Sequence, residues 1–197
     1  MDSLIEKLRI SSRDVHQQIE QTILLKGLVT GNIDVTQYRM LIQTMYTMCS
    51  DFYQYFQHNL HQTPFAQFIP HACRLNELRE DLLLLGQTDI YTPKPLVNFK
   101  HQPETALGAM YVLLGAANGA QYLTHAIDKN HHEEIREARH FFTKHGDARL
   151  VIWADFVEKL SNNVLSDEQQ SNIVASAIKT FCFITNKLKD AIEVHYG

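Results

Sequence analysis

Two stretches of the chain stand apart, one for the polar residues bordering its apolar stripe and one for its glycines. In the first, Ile5, Leu8, Val15, Ile19 and Ile23 fall on one narrow apolar stripe at helical spacing. His16 lies about 55° from the centre of that stripe, at the border between core and solvent. Arg9 falls on the same flank two turns earlier, about 10 Å along the axis, and Glu20 one turn later. A neutral imidazole at such a border can ligate a metal through one nitrogen, while a carboxylate one turn on fixes its tautomer through the other. A guanidinium on the same flank can meet an anionic group on whatever the imidazole holds. The same three residues also fit an ordinary helix with an exposed His–Glu pair.

The second stretch reads Leu107-Gly108-Ala109-Met110-Tyr111-Val112-Leu113-Leu114-Gly115-Ala116-Ala117-Asn118-Gly119-Ala120. A glycine inside a helix costs about 1 kcal/mol relative to alanine, so three of them cost roughly 3 kcal/mol. Gly108, Gly115 and Gly119 fall within about 40° of one another on the helical wheel, with Val112 between them. They form a seam without side chains, on which either a second helix can cross closely or a planar ligand can lie. Asn118 is the only strongly polar side chain from Leu107 to Ala120. Taken together, the two stretches predict an imidazole on one side and a bare backbone on the other, clamping a flat ring that carries iron.

The elements that must position these groups are helical. No run alternates apolar and polar residues for long, and no Asn-Gly or Asp-Gly hairpin turn is present. The periodicity predicts a first helix from a capping box at Ser3-Leu4-Ile5-Glu6 to Leu25, stopping near Gly27. Further helices are expected over Thr36 to His61, from Pro70 to Gly86, Glu104 to Ile127, Glu133 to Lys144, Ala148 to Leu160 and Asp167 to His195. A short piece covers Phe65 to Phe68, and a loop holding three prolines runs from Gln87 to Pro103. The expected fold is all-α, a single domain over 1–197 with seven helices in an orthogonal or bundle-like packing.

Composition excludes several other classes. With 197 residues, 45% apolar, and only 8 Gly and 5 Pro, the chain supports one well-buried core. A net charge of −4 leaves no electrostatic footprint for nucleic acid or for an anionic membrane. No apolar run reaches the ~18 residues of a membrane span. The acidic, amphipathic start reads as no signal peptide. Cys49, Cys73 and Cys182 match no zinc spacing and no disulfide framework, which fits a reducing cytoplasm. Most of the 11 histidines sit in polar stretches, as in Asn130-His131-His132-Glu133-Glu134, and read as surface imidazoles.

The ordered set of motifs resembles the heme oxygenase family, nearest its bacterial branch. Leu8-Arg9, Ser12, His16, Ile19 and Glu20 are similar to the family's opening pattern. Tyr38 to Tyr46 resembles its second helix, and Leu78-Arg79-Glu80-Asp81-Leu82-Leu83-Leu84-Leu85-Gly86 its Asp-Leu…Leu-Gly segment. Leu107-Gly108 through Gly119 resembles the distal helix, and Phe141-Phe142 with Gly146, Trp153 and Phe156 a further family pattern. The resemblance implies a heme-oxygenase-like multi-helical fold with heme held between a proximal and a distal helix. It implies His16 as axial iron ligand, Glu20 as that ligand's partner and Arg9 near a heme propionate. Gly115 and Gly119 would be the distal glycines, with Val112 and Ala116 beside them. The implied reaction is oxidative cleavage of heme by O2 to biliverdin, ferrous iron and carbon monoxide. Heme is then cofactor and substrate together, and the electrons come from a donor protein or a small reductant.

Two departures bear on turnover. Leu114 stands where bacterial members often have Glu, and Ala116 where members carry Asp or Ser. Asn118 is the polar group left to organise distal water. Further propionate partners are open among Lys129, Lys144 and Arg149. The alternatives are a heme carrier or sensor without turnover, and a non-heme di-iron or thiaminase-type member of the same architecture. A di-iron site wants two Glu-x-x-His motifs, and only Glu137-Ala138-Arg139-His140 is present. A thiaminase-type site wants a nucleophilic Cys, for which Cys49 and Cys182 are the candidates.

Overall fold

In the computed structural model, which describes residues 3–90, 98–144, 146 and 148–196, the chain folds as helices and their connections, with no strand among the described residues. Side chains of residues 117, 118, 120, 121, 195 and 196 lie outside the described set. In chain order the helices are α1 (Leu4–Ser11), α2 (Arg13–Glu20), α3 (Ile23–Thr30), α4 (Val35–Leu60), α5 (Ile69–Cys73), α6 (Leu75–Leu84), α7 (Pro103–Asp128), α8 (Glu133–Glu137), α9 (His140–Thr143), α10 (Ala148–Ser161) and α11 (Asp167–Tyr196). A 3-10 turn, Ala66–Phe68, precedes α5.

The long helices start and stop for local reasons. Asp34 caps α4, accepting from the Gln37 amide at 2.8 Å while Gln37 answers with its own side chain, a closed capping box. Along α4, Tyr38, Leu41, Ile42, Cys49, Phe52, Phe56 and Leu60 return to the core at steps of three and four. Pro103 opens α7 at the position where a missing amide costs nothing. Helix α7 lies against α11 along much of its length and also meets α3, α4, α9 and α10. Each Leu or Phe buried in this core contributes roughly 1.5–3 kcal/mol, and Phe52, Phe56, Phe68 and Phe156 are essentially inaccessible.

The expected seven helices become eleven among the described residues because three of them break, at four places in all. The first does not run unbroken to Leu25. At Ser12 the hydroxyl turns back onto the Leu8 carbonyl at 2.8 Å and the backbone leaves helical geometry (ψ 0°). At Thr22 the same device, Oγ1 to the Ile19 carbonyl at 2.7 Å, accompanies the extended backbone (ψ 145°) that makes Thr22 the N-cap of α3. The stretch after Pro70 breaks at Arg74, which sits at φ 45°, the only described non-glycine with positive φ. Its guanidinium is buried over the Phe141 ring at 4.0 Å, and that contact offsets the strained backbone. The Glu133 to Lys144 segment breaks at Ala138, whose carbonyl accepts from the buried Tyr38 hydroxyl at 2.6 Å. The start of α9 is then held by Asp81. One carboxylate oxygen accepts the His140 amide (2.8 Å) and faces His140 Nδ1 (2.8 Å), and the other accepts the Phe141 amide (2.9 Å). Part of the expected Gln87 to Pro103 loop, residues 91–97, lies outside the described residues.

Candidate functional site

Helix α2 presents the imidazole. Val15 and Ile19 turn toward the core and leave His16 on the open flank, with 55% of its side chain exposed. Two contacts set its orientation. Its ring meets the Phe181 ring of α11 edge-on at 5.4 Å, and Nδ1 faces Glu20 Oε1 at 3.4 Å. Nδ1 is therefore turned to the carboxylate, and Nε2 is the nitrogen with no described partner.

Arg9 does not share that helix, because the break at Ser12 assigns it to α1. Its guanidinium is paired with Glu6 at 2.7 Å, and the hydrogen bond and charge of Glu6 raise its pKa. Arg9 also reaches α7 electrostatically: burial raises the Tyr111 phenol above its ordinary range and the Arg9 charge opposes that rise. So Arg9 stands with the α7 face, while His16 and Glu20 stand on the next helical segment.

The glycine seam of α7 divides in two. A Cβ on Gly108 would meet the Ile173 carbonyl oxygen at 2.2 Å and the Ser176 Cβ at 2.8 Å. Helix α11 crosses there backbone to backbone, and Ser176 Oγ donates to the Thr105 carbonyl at 2.5 Å. Gly108 therefore leaves the ligand seam and belongs to helix packing. A Cβ on Gly115 would touch only the Trp153 ring at 3.5 Å, an ordinary contact, and one on Gly119 would meet nothing within 4 Å. Ala116 and Gly119 are exposed, and Tyr122, one turn on, is 82% exposed. Trp153 in turn stacks on Phe156 and lies 5.2 Å from Tyr111, so α10 walls the Gly115 end of this open strip.

Val112 and Leu114 turn away from the strip into the core. The Leu114 side chain thus fills interior volume. The Asn118 side chain lies outside the described residues. Lys144 is engaged elsewhere, with Glu80 at 3.2 Å and Glu77 at 3.8 Å, and the Arg149 charge is felt at the buried Arg74. Trp153 and Tyr111 bound the strip although spacing within α7 and α2 alone pointed to neither. Only the crossing of α10 over α7 brings Trp153 there.

The other candidate chemistries find little support. Burial pushes the Cys49 thiol up to about 12 and the Cys73 thiol well above its ordinary range, so neither is a ready nucleophile. Cys182 is on the exposed side of α11. Among the described residues no group of three His, Cys, Asp or Glu side chains converges as a metal site. No described helix is long and apolar enough to cross a membrane. A cleft of about 550 Å3, lined by Leu60, Phe65, Leu107, Asp155, Lys159 and Asn162 among others, includes neither His16 nor Gly119.

The heme oxygenase family model matches residues 2–190. No curated protein matches the chain. Among solved structures, a heme oxygenase of the cyanobacterium Synechocystis in complex with heme superposes with a TM-score of 0.74 at 15% identity, over 98% of this chain and 96% of that one. The NO- and CO-bound heme oxygenase of Neisseria meningitidis superposes with a TM-score of 0.73 at 20% identity, over 98% and 94%. A TenA homologue from P. horikoshii shares the architecture too, with a TM-score of 0.70 at 15% identity, over 96% and 98%. The structural likenesses establish the fold. The family model, which spans nearly the whole chain, carries the assignment: this chain belongs to the heme oxygenase family.

Proposed function

We propose that the chain is a heme oxygenase that binds heme between His16 on α2 and the Gly115–Gly119 strip of α7. In this reading it cleaves the ring with O2 and external electrons to biliverdin, ferrous iron and carbon monoxide. The observation that carries the reading is His16 itself: an exposed imidazole whose ring meets Phe181 edge-on and whose Nδ1 lies 3.4 Å from Glu20. An idle surface histidine has no reason to be fixed from two sides, whereas an axial ligand needs both its plane and its tautomer set.

The side chains have separable tasks. Glu20, 3.4 Å from Nδ1, favours the tautomer that leaves Nε2 available as the ligand. Phe181 fixes the ring plane. Gly119 and Gly115 let the α7 backbone approach the opposite face, because no Cβ stands there, and Ala116 adds only a methyl. Trp153 and Tyr111 close the Gly115 end, and Arg9 supplies a cation for a propionate by exchanging its exposed Glu6 partner. Asn118, from the same stretch of sequence, carries an amide that can both donate to and accept from distal water. Heme, when bound, supplies both the iron that activates dioxygen and the ring that is opened. The reading extends to a cytoplasmic protein served by an electron-donor protein or small reductant, with neither nucleic acid nor membrane as partner.

A second reading, a heme carrier of the same fold, is favoured by one feature. Leu114 is buried and Ala116 carries no polar group, so the strip is poor in groups that would deliver protons. Absorption spectra separate the two. Purified protein titrated with heme should show an imidazole-bound ferric spectrum that His16→Ala abolishes. Adding a reductant in air should then bleach the Soret band and raise a biliverdin absorption. A Soret band that persists under those conditions selects the carrier, and a His16→Ala spectrum identical to the parent's removes His16 from its role.

A further inference from the structure

Away from the His16–Gly119 face, the last turn of α4 and the segment entering α7 bring two imidazoles together. The rings of His58 and His101 have centres 4.7 Å apart and planes crossed at 72°. Both come from anchored backbone. His58 belongs to α4, and one turn earlier Tyr55 donates its hydroxyl to the Lys100 carbonyl at 2.8 Å and meets Thr105 Oγ1 at 2.6 Å. Next to Lys100, Phe99 is buried against the rings of Tyr55 and Phe52. Tyr55 also lies against His101 at 5.8 Å. The chain on either side of the pair is thereby fixed before any ligand arrives, and binding needs little further ordering.

An imidazole nitrogen binds zinc at about 2.0–2.1 Å, which sets the centres of two rings on one ion about 5 Å apart. The observed separation of 4.7 Å is close to that value. His58 lies in the last turn of α4, where the unpaired helix carbonyls favour a cation. No third His, Cys, Asp or Glu joins the pair among the described residues, so water completes the coordination shell.

We propose that His58 and His101 form a two-imidazole site for a borderline divalent transition-metal ion, of the Zn2+, Ni2+ and Cu2+ class. The ion ties the end of α4 to the segment that enters α7. Hard cations such as Mg2+ and Ca2+, which prefer oxygen ligands, are not held.

The test is thermal unfolding of the heme-free chain against added Ni2+, with His58→Ala, His101→Ala and a His131→Ala/His132→Ala control that removes the adjacent pair at 4.0 Å. Ni2+ should raise the midpoint of the parent and of the control alike, since an ion that binds only the folded chain stabilises it. Mg2+ should not. Either single variant should need at least tenfold more Ni2+ for the same rise over its own metal-free midpoint. If a variant folds poorly, the nitrogen hyperfine pattern of bound Cu2+ in the parent and in His101→Gln gives an independent reading. Two imidazole nitrogens should become one. A metal response absent from the parent, or one that survives both single variants and vanishes in the His131/His132 control, overturns the site. So does an unchanged nitrogen count in His101→Gln.

Discussion

Two carboxylate–imidazole pairs among the described residues sit in opposite surroundings. Asp81 and His140 meet at 2.8 Å with the aspartate wholly buried, and the same carboxylate also accepts two backbone amides. His16 and Glu20 meet at 3.4 Å with both side chains more than half exposed. The glycines of α7 divide in the same way, Gly108 jammed against the backbone of α11 and Gly119 facing open space. One region spends these residue types on joining helices, and the other leaves them accessible. The residue types are alike in each case, and the neighbours decide what the residue does.

That contrast is open to direct attack. The largest effect should come from Gly108→Ala, which forces a methyl to within 2.2 Å of a carbonyl oxygen that cannot swing aside. We expect a loss of about 3 kcal/mol in urea unfolding. A loss below about 1 kcal/mol would show a crossing loose enough to yield.

Asp81→Ala should cost about 2–3 kcal/mol, because it strands buried donors at the start of α9. The milder Asp81→Asn sharpens the point through pH. Burial, the largest influence, holds the Asp81 carboxyl above its ordinary value of 3.8, although its hydrogen bonds act the other way. A carboxyl raised on folding binds its proton more tightly when folded. Its contribution to stability therefore falls as pH climbs from 3.8 through the raised value. The unfolding free energy of the parent minus that of Asp81→Asn should decline across that window, and a flat or rising difference contradicts the buried assignment.

On the open side, stability should hardly respond. Glu20→Gln is expected to move the unfolding free energy by less than about 0.5 kcal/mol while weakening heme binding roughly tenfold, as removal of a ligand's hydrogen-bond partner does. A stability loss comparable to that of Asp81→Ala would mean the two pairs do the same job. The one change of opposite sign belongs to Gly119→Leu. The heme-free protein should gain up to about 0.8 kcal/mol from helix propensity, and heme turnover should stop. Normal turnover in that variant would return Gly119 to simple helix geometry.

Much of the fold was legible in the chain because helix periodicity is a local property. The ends of α4, α7, α10 and α11 fall within a residue or two of where caps, prolines and the apolar rhythm put them. The breaks were not legible. A serine at position 12 and a threonine at position 22 look like any polar helix residue until their hydroxyls turn back on the preceding turn. A left-handed residue is expected at glycine, yet Arg74 adopts it to bury its guanidinium on Phe141, a partner nearly seventy positions away.

For the candidate site, the border position of His16 and its neighbour Glu20 followed from turns of one helix. On a helical wheel Gly108 and Gly119 are nearly superimposed. Sequence alone determined an all-helical chain and a bare seam along α7, since both follow from backbone propensity and a 3.6-residue repeat. Tertiary structure alone decided which glycine is filled by α11, which is walled by Trp153 and which stays open. It also separated Arg9 from His16 at the Ser12 break, because close approach depends on contacts between segments far apart in the chain.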